Sequence, residues 1–95
     1  MQHSLISALD PIPIVRTISN KLFKGQNIPL KNVRIEGCLV GGKAVEYLVY
    51  VGVGVVLVRQ SFSTMGERWD ADIVPDEDQT NTRIRFLGTG VHSEE

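Results

Sequence analysis

The sequence predicts an α+β domain in which one N-terminal amphipathic helix packs on a twisted, four- to five-stranded antiparallel sheet. Apolar residues recur at helical spacing only near the N-terminus, and from residue 33 onward the apolar period is two. Glycine-containing turns separate the segments of period two. Because 95 residues, 42% of them hydrophobic, suffice for one core, we expect a single domain over residues 1–95. Residues 1–9 and 89–95 are expected to be loosely ordered tails.

The helix is predicted over residues 10–24. Its apolar residues follow one another at intervals of three and four residues, which places them on one face. They are Pro11, Val15, Ile18 and Leu22. Asp10 can cap the N-terminus, and Gly25 suits the position just beyond the C-terminus.

The first hairpin is predicted at the Gly41-Gly42 pair, because both residues can adopt positive φ in a two-residue turn. The strand before it alternates apolar and polar residues from Val33 to Leu39. Closing the hairpin at that pair would place Ile35 opposite Leu48, on one face of the sheet.

Residues 45–51 and 55–62 form two valine-rich strands, separated by a turn at 52–54. Both strands are apolar on both faces, which is typical of central strands that are covered on both sides. With a single predicted helix, only one face of the sheet can be covered from within the chain. We therefore expect the other face to meet a second molecule, or the sheet to curl and close on itself.

A last hairpin is predicted between residues 69–73 and 83–86, with the polar stretch 76–81 as its loop. One register brings opposite charges together on one face and apolar residues together on the other. The predicted pairs are Asp70 with Arg85, Asp72 with Arg83, Trp69 with Phe86, and Ala71 with Ile84.

The sequence offers no constellation for catalysis, so we expect no catalytic residue, no cofactor and no enzymatic activity. His3 and His92 lie in the predicted tails, and Cys38 alternates within a strand like a small apolar residue. The acids from residue 76 onward begin like a calcium loop, but Asn81 stands where that loop needs glycine and Leu87 where it needs glutamate. No metal site is expected.

Charge and cysteine content restrict the partners. The formal net charge is −1, although residues 1–45 hold six cations and two acids, whereas residues 46–95 hold four cations and nine acids. No aromatic residue is interleaved among the N-terminal cations, so we expect no nucleic-acid partner. The single Cys38 suits a reducing, cytoplasmic location, and the longest apolar stretch is too short for a membrane span.

The leading functional hypothesis is a non-enzymatic interaction module that forms a homodimer through its valine-rich sheet. The expected interface residues are Tyr47, Val49, Tyr50, Val51 and Val56. One alternative is a small-ligand binder with an apolar pocket between helix and curled sheet, lined by Ile18, Leu22, Leu48, Tyr50 and Trp69. Another is a small regulator that docks its acidic region, residues 70–78, on a basic partner protein.

Overall fold

The computed structural model describes residues 10–87, so the predictions for the tails at 1–9 and 89–95 lie outside the described residues. The strands form one antiparallel sheet in the order β1-β2-β3-β4. The elements are α1 (Ile12–Leu22), a 3₁₀ helix (Leu30–Asn32), β1 (Val33–Gly41), β2 (Ala44–Val51), β3 (Gly54–Ser63), β4 (Gly66–Ile73) and α2 (Asp76–Leu87). The predicted α+β class is confirmed, with four strands and an additional C-terminal helix.

Helix α1 forms where it was predicted and uses the expected signals at its ends. The Ile12 N–H donates to Asp10 Oδ1 at 3.1 Å, which satisfies one of the unpaired donors of the first turn. At the other end the chain turns away through positive φ at Lys24 (54°) and Gly25 (80°). The Gly25 N–H donates back to the Ser19 carbonyl at 2.9 Å, which closes the helix.

The first hairpin forms, but its predicted register is wrong. Gly41 pairs with Ala44, so the turn contains Gly42 and Lys43, and of these only Gly42 has positive φ. A bulge between Ile35 and Gly37 then shifts the pairing by one residue. Since side chains alternate between faces, this shift places Ile35 opposite Val49 rather than on the face of Leu48.

The prediction of a C-terminal hairpin is also wrong, because residues 76–87 form helix α2 instead of a loop and a fifth strand. The three acids Asp76–Asp78 occupy the first turn of this helix, where they interact favourably with its dipole. Strand β4 pairs only with β3 among the described residues, and Asp70 lies opposite Arg59 instead of Arg85. The alternation at 83–86 predicts a strand, but these residues belong to α2, and Phe86 is the buried residue of that helix.

The two helices lie on opposite faces of the sheet and create two apolar clusters. The α1 cluster contains eight buried residues, namely Ile14, Ile18, Cys38, Tyr47, Val49, Val56, Val58 and Ala71. The α2 cluster contains four, namely Leu48, Val55, Val74 and Phe86. The strands β2 and β3 are therefore central and covered on both faces, and α2 covers the face that we expected to be open. Neither α1 nor α2 is long and apolar enough to cross a membrane.

Candidate interaction surface

Three of the five expected interface residues are inside the protein rather than at its surface. Tyr47, Val49 and Val56 are at most 5% exposed and belong to the α1 cluster. Val51 is half-buried against the same cluster, whereas Tyr50 is half-buried against the α2 cluster on the other face. A second copy therefore cannot reach this set as one surface while both helices remain in place.

The expected ligand pocket is divided by the sheet. Ile18, Leu22 and Trp69 pack together on the α1 side, but Leu48 lies in the α2 cluster on the opposite side. A cavity of about 370 Å³ does lie beside α1, between that helix and the segment that follows it. Its lining includes Ile12, Val15, Arg16, Ile28 and Leu30 and contains none of the expected pocket residues.

The acidic region 70–78 is divided between β4 and α2. Asp70 forms an exposed ion pair with Lys21 of α1 at 3.5 Å, and the three acids that follow Pro75 lie in the first turn of α2. Within residues 10–87, no group of three or more His, Cys, Asp or Glu side chains could hold a metal ion. Helix formation and an ion pair thus account for four of the five acids in this region.

The two edge strands of the sheet differ in how they are protected against pairing with another strand. Along β4, charged residues follow one another closely, at Glu67, Arg68, Asp70 and Asp72, and α1 packs chiefly against this strand. The second half of β1, Gly37–Gly41, carries no charge and no proline. Charged side chains are a common device that prevents edge strands from pairing, so β1 is the less protected edge.

An exposed apolar patch adjoins this edge on the α1 side of the sheet, at the first hairpin. We call it the hairpin patch and define it as Val40, Val45 and Phe62. Val40 and Phe62 are 68% and 43% exposed, and Val45 lies directly opposite Val40. The Phe62 N–H donates to the Lys43 carbonyl at 2.8 Å, which fixes β3 beside the hairpin. The patch is contiguous with the unprotected half of β1.

A polar cluster surrounds Tyr50 on the α2 side of the sheet. The Arg34 guanidinium lies over the Tyr50 ring, 4.4 Å from its centroid, and the Arg83 guanidinium approaches it at 5.9 Å. Both arginines also contact the Glu36 carboxylate, each at 3.8 Å. Burial, followed by the proximity of Glu36, raises the pKa of the Tyr50 hydroxyl above its usual value. Tyr50 therefore stays neutral at physiological pH.

The polar cluster contains two atoms that a folded protein would normally pair. Glu36 Oε1 and the Tyr50 hydroxyl are both buried, and neither has a hydrogen-bond partner of normal geometry among the described residues. Glu36 is the bulge residue of β1, so the bulge turns its carboxylate toward Tyr50 and α2. Sequence reasoning missed this cluster because it depends on the bulge and on Arg83 of a helix that was not predicted.

Cys38, the single cysteine of the sequence, is not presented for chemistry. Its side chain lies in the α1 cluster and is 4% exposed. Burial raises the pKa of the thiol, which disfavours the reactive thiolate. Cys38 therefore packs as a small apolar residue, in the role that the alternation of the strand predicts.

No protein-family model, curated protein or solved structure matches this chain. The described residues present two candidate surfaces, the apolar hairpin patch with its adjoining edge and the polar cluster around Tyr50, which holds two arginines and one carboxylate.

Proposed function

We propose that this protein is a non-enzymatic interaction module that forms a homodimer by pairing β1 with β1 of a second copy. The supporting observation is the uncharged stretch Gly37–Gly41 on the open edge of the sheet, next to the exposed Val40. Every second residue of an edge strand directs its N–H and C=O groups away from the neighbouring strand, and a second strand can bind them. The product is a continuous eight-stranded sheet.

A two-fold arrangement fits this edge without moving either helix. Antiparallel pairing about an axis through Leu39 would place Val40 of one copy opposite Cys38 of the other, on the α1 side. Val40 would then lose most of its exposure to solvent, and the two hairpin patches would lie on the same face of the joined sheet. The apolar area removed from water would stabilise the pair at roughly 25 cal/mol per Å² before the cost of association.

The choice of partner follows from the shape of the edge. A second copy presents the same short, uncharged strand and so matches it in length and polarity. We place this association in the cytoplasm, where a reducing environment keeps the single cysteine free. The two other hypotheses, an apolar ligand and a basic protein partner, remain predictions that the same experiment addresses.

The test is native mass spectrometry and analytical ultracentrifugation of the full chain. We expect a dimer that dissociates on dilution. Val40→Lys should weaken it at least about tenfold, because it introduces two like charges at the shared edge. The matched control is Ile73→Lys at the opposite edge, where an apolar residue of similar exposure, 60%, is replaced in the same way.

Two results would count against the dimer. One is a wild-type chain that remains monomeric up to about 1 mM, where the association free energy would be no better than about −4 kcal/mol. The other is an equal loss of dimer in the two lysine variants, which would indicate general repulsion rather than pairing at β1. A monomer that retains a small apolar adduct and changes its Trp69 fluorescence would favour the ligand hypothesis instead.

A further inference from the structure

A second cavity, of about 360 Å³, opens at the end of β1 and β2 that is remote from the first hairpin. It is lined by Lys31, Asn32, Val33, Arg34, Tyr50 and Gly52. Two backbone hydrogen bonds of 3.0 Å hold its walls, one from the Gly52 N–H to the Asn32 carbonyl and one from the Asn32 N–H to the Pro29 carbonyl. These bonds fix the 3₁₀ helix against the turn between β2 and β3, so the cavity is already formed before any ligand binds.

Positive charge exceeds negative charge around this cavity. Lys31 and Arg34 line it, and Arg83 reaches the Tyr50 ring, while Glu36 is the one carboxylate within the polar cluster described above. The side chains of Arg34 and Arg83 are 64% and 50% exposed. Their contacts with Glu36, at 3.8 Å, are longer than hydrogen bonds, so guanidinium N–H groups remain available to a ligand.

The neighbouring groups hold Arg34 in place at the cavity. Its guanidinium is stacked on the Tyr50 ring at 4.4 Å and is attracted by Glu36. Glu36 is only 18% exposed, is also attracted by Arg83 and is not among the residues that line the cavity. Because Tyr50 stays protonated, it adds no negative charge that would repel an anion.

We propose that this cavity binds the phosphate group of a small phosphomonoester, with Arg34 and Lys31 as its ligands. A guanidinium matches the oxygens of phosphate in a two-point contact, and a lysine supplies a second point charge. Lys31, Arg34 and Arg83 together exceed the single negative charge of Glu36 by two, and this excess suits a dianion better than a monocarboxylate. A volume of about 360 Å³ exceeds that of a bare phosphate and leaves room for a small organic group.

The test is a titration of the ¹⁵N-labelled full chain, followed by NMR at constant ionic strength. The probes are glycerol 3-phosphate, inorganic phosphate and a short single-stranded DNA oligonucleotide. We expect glycerol 3-phosphate to shift the amide signals of Asn32 and Gly52 in a saturable manner, and inorganic phosphate to shift them more weakly. Arg34→Gln should raise the Kd for glycerol 3-phosphate at least about tenfold, as expected for a lost charged hydrogen bond.

The matched control is Lys43→Gln, which removes one exposed cation at the far end of the same two strands and should leave the Kd unchanged. Lys31→Gln, on the exposed 3₁₀ helix, provides a second variant should Arg34→Gln disturb the fold. The proposal is overturned if neither phosphate compound shifts Asn32 and Gly52. It is also overturned if Lys43→Gln weakens binding as much as Arg34→Gln, or if the oligonucleotide alone binds.

Discussion

Phe86→Ala is expected to release helix α2 from the sheet. Phe86 is 1% exposed and is the buried residue of α2, where it contributes to the α2 cluster with Leu48, Val55 and Val74. The ring also lies over Gly37 of β1, whose missing side chain leaves room for it; a Cβ there would be 3.7 Å from the ring. No other apolar side chain of α2 is buried to the same extent.

The size of the effect follows from what else holds α2. Replacing a buried Phe by Ala costs about 3–5 kcal/mol. The ion pair of Arg85 with Glu46, at 2.8 Å, and that of Arg83 with Glu36 involve arginines that are about half exposed. Pairs of this kind contribute at most about 1 kcal/mol each. Phe86 therefore supplies most of the free energy of docking, and we expect its loss to lower the free energy of unfolding by about 3 kcal/mol.

The assay is urea denaturation followed by two probes. Circular dichroism at 222 nm (the standard helix band) reports both helices, whereas the fluorescence of Trp69 reports β4 and the α1 side of the sheet. In the wild type the two transitions should coincide. In Phe86→Ala, part of the helical signal should be lost at lower urea than the fluorescence, because α2 detaches before the sheet unfolds.

The control is Ile84→Ala, in the same helix and 60% exposed, which should change the free energy of unfolding by no more than about 0.5 kcal/mol. The reasoning fails if Phe86→Ala costs less than about 1 kcal/mol and its two transitions still coincide. It also fails if Ile84→Ala is as damaging as Phe86→Ala, since α2 would then be held by a different face.

Three further changes follow from particular contacts. Gly25→Ala should lower the free energy of unfolding, measured by heat or urea, by about 1 kcal/mol because φ at Gly25 is +80°. Gly41→Ala is the control and should be nearly neutral, because Gly41 has an ordinary φ and faces open space. Equal effects of the two substitutions would contradict the argument. Glu46→Gln should lower the free energy of unfolding by at most about 1 kcal/mol. A decrease that persists in about 1 M salt would show that the ion pair of Glu46 is not its origin. Burial raises the pKa of Cys38 and of Tyr47, so the folded state retains these protons more strongly and stability should fall once the pH rises above the ordinary thiol value of 9.0. Urea midpoints measured at about pH 8 and about pH 10 check this expectation. The midpoint should decrease less between these pH values in Cys38→Ala than in the wild type. A wild-type midpoint that does not decrease at all would contradict it.

The helices show what sequence pattern alone could predict. Helix α1 was predictable because its apolar spacing, its Asp10 cap and its terminal Gly25 all indicate the same element. Helix α2 has conflicting signals, because the four residues 83–86 alternate strictly, as in a strand, whereas residues 75–78 carry a helix start signal. A proline followed by three acids is typical of a first helical turn, so the evidence for α2 was present in the sequence.

The register of the first hairpin could not be read from alternation. Gly41 and Gly42 both permit positive φ, and only the structure shows that Gly42 uses it. The bulge at Glu36 adjoins Gly37, and an isolated glycine inside a strand pattern is a bulge signal that alternation alone overlooks. The bulge decides which face Ile35 occupies and turns Glu36 toward Tyr50. The polar cluster and the cavity beside it depend on how the bulge, the 3₁₀ helix and α2 come together in space, which alternation does not specify. The central position of the two valine-rich strands, by contrast, was predictable from their composition.

The cover supplied by α2 determines how two copies of this chain could associate. Pairing through the face of the sheet would require each copy to release α2, and each release costs about 3 kcal/mol if Phe86 carries the docking energy as argued above. For a single copy this cost already lowers the association constant roughly a hundredfold, since 1.4 kcal/mol corresponds to a factor of ten. Pairing along β1 leaves Phe86 in place and carries no such cost, so of the two modes we expect the edge in the wild type. In Phe86→Ala most of this cost disappears, so Val40→Lys should weaken association less in that variant than in the wild type.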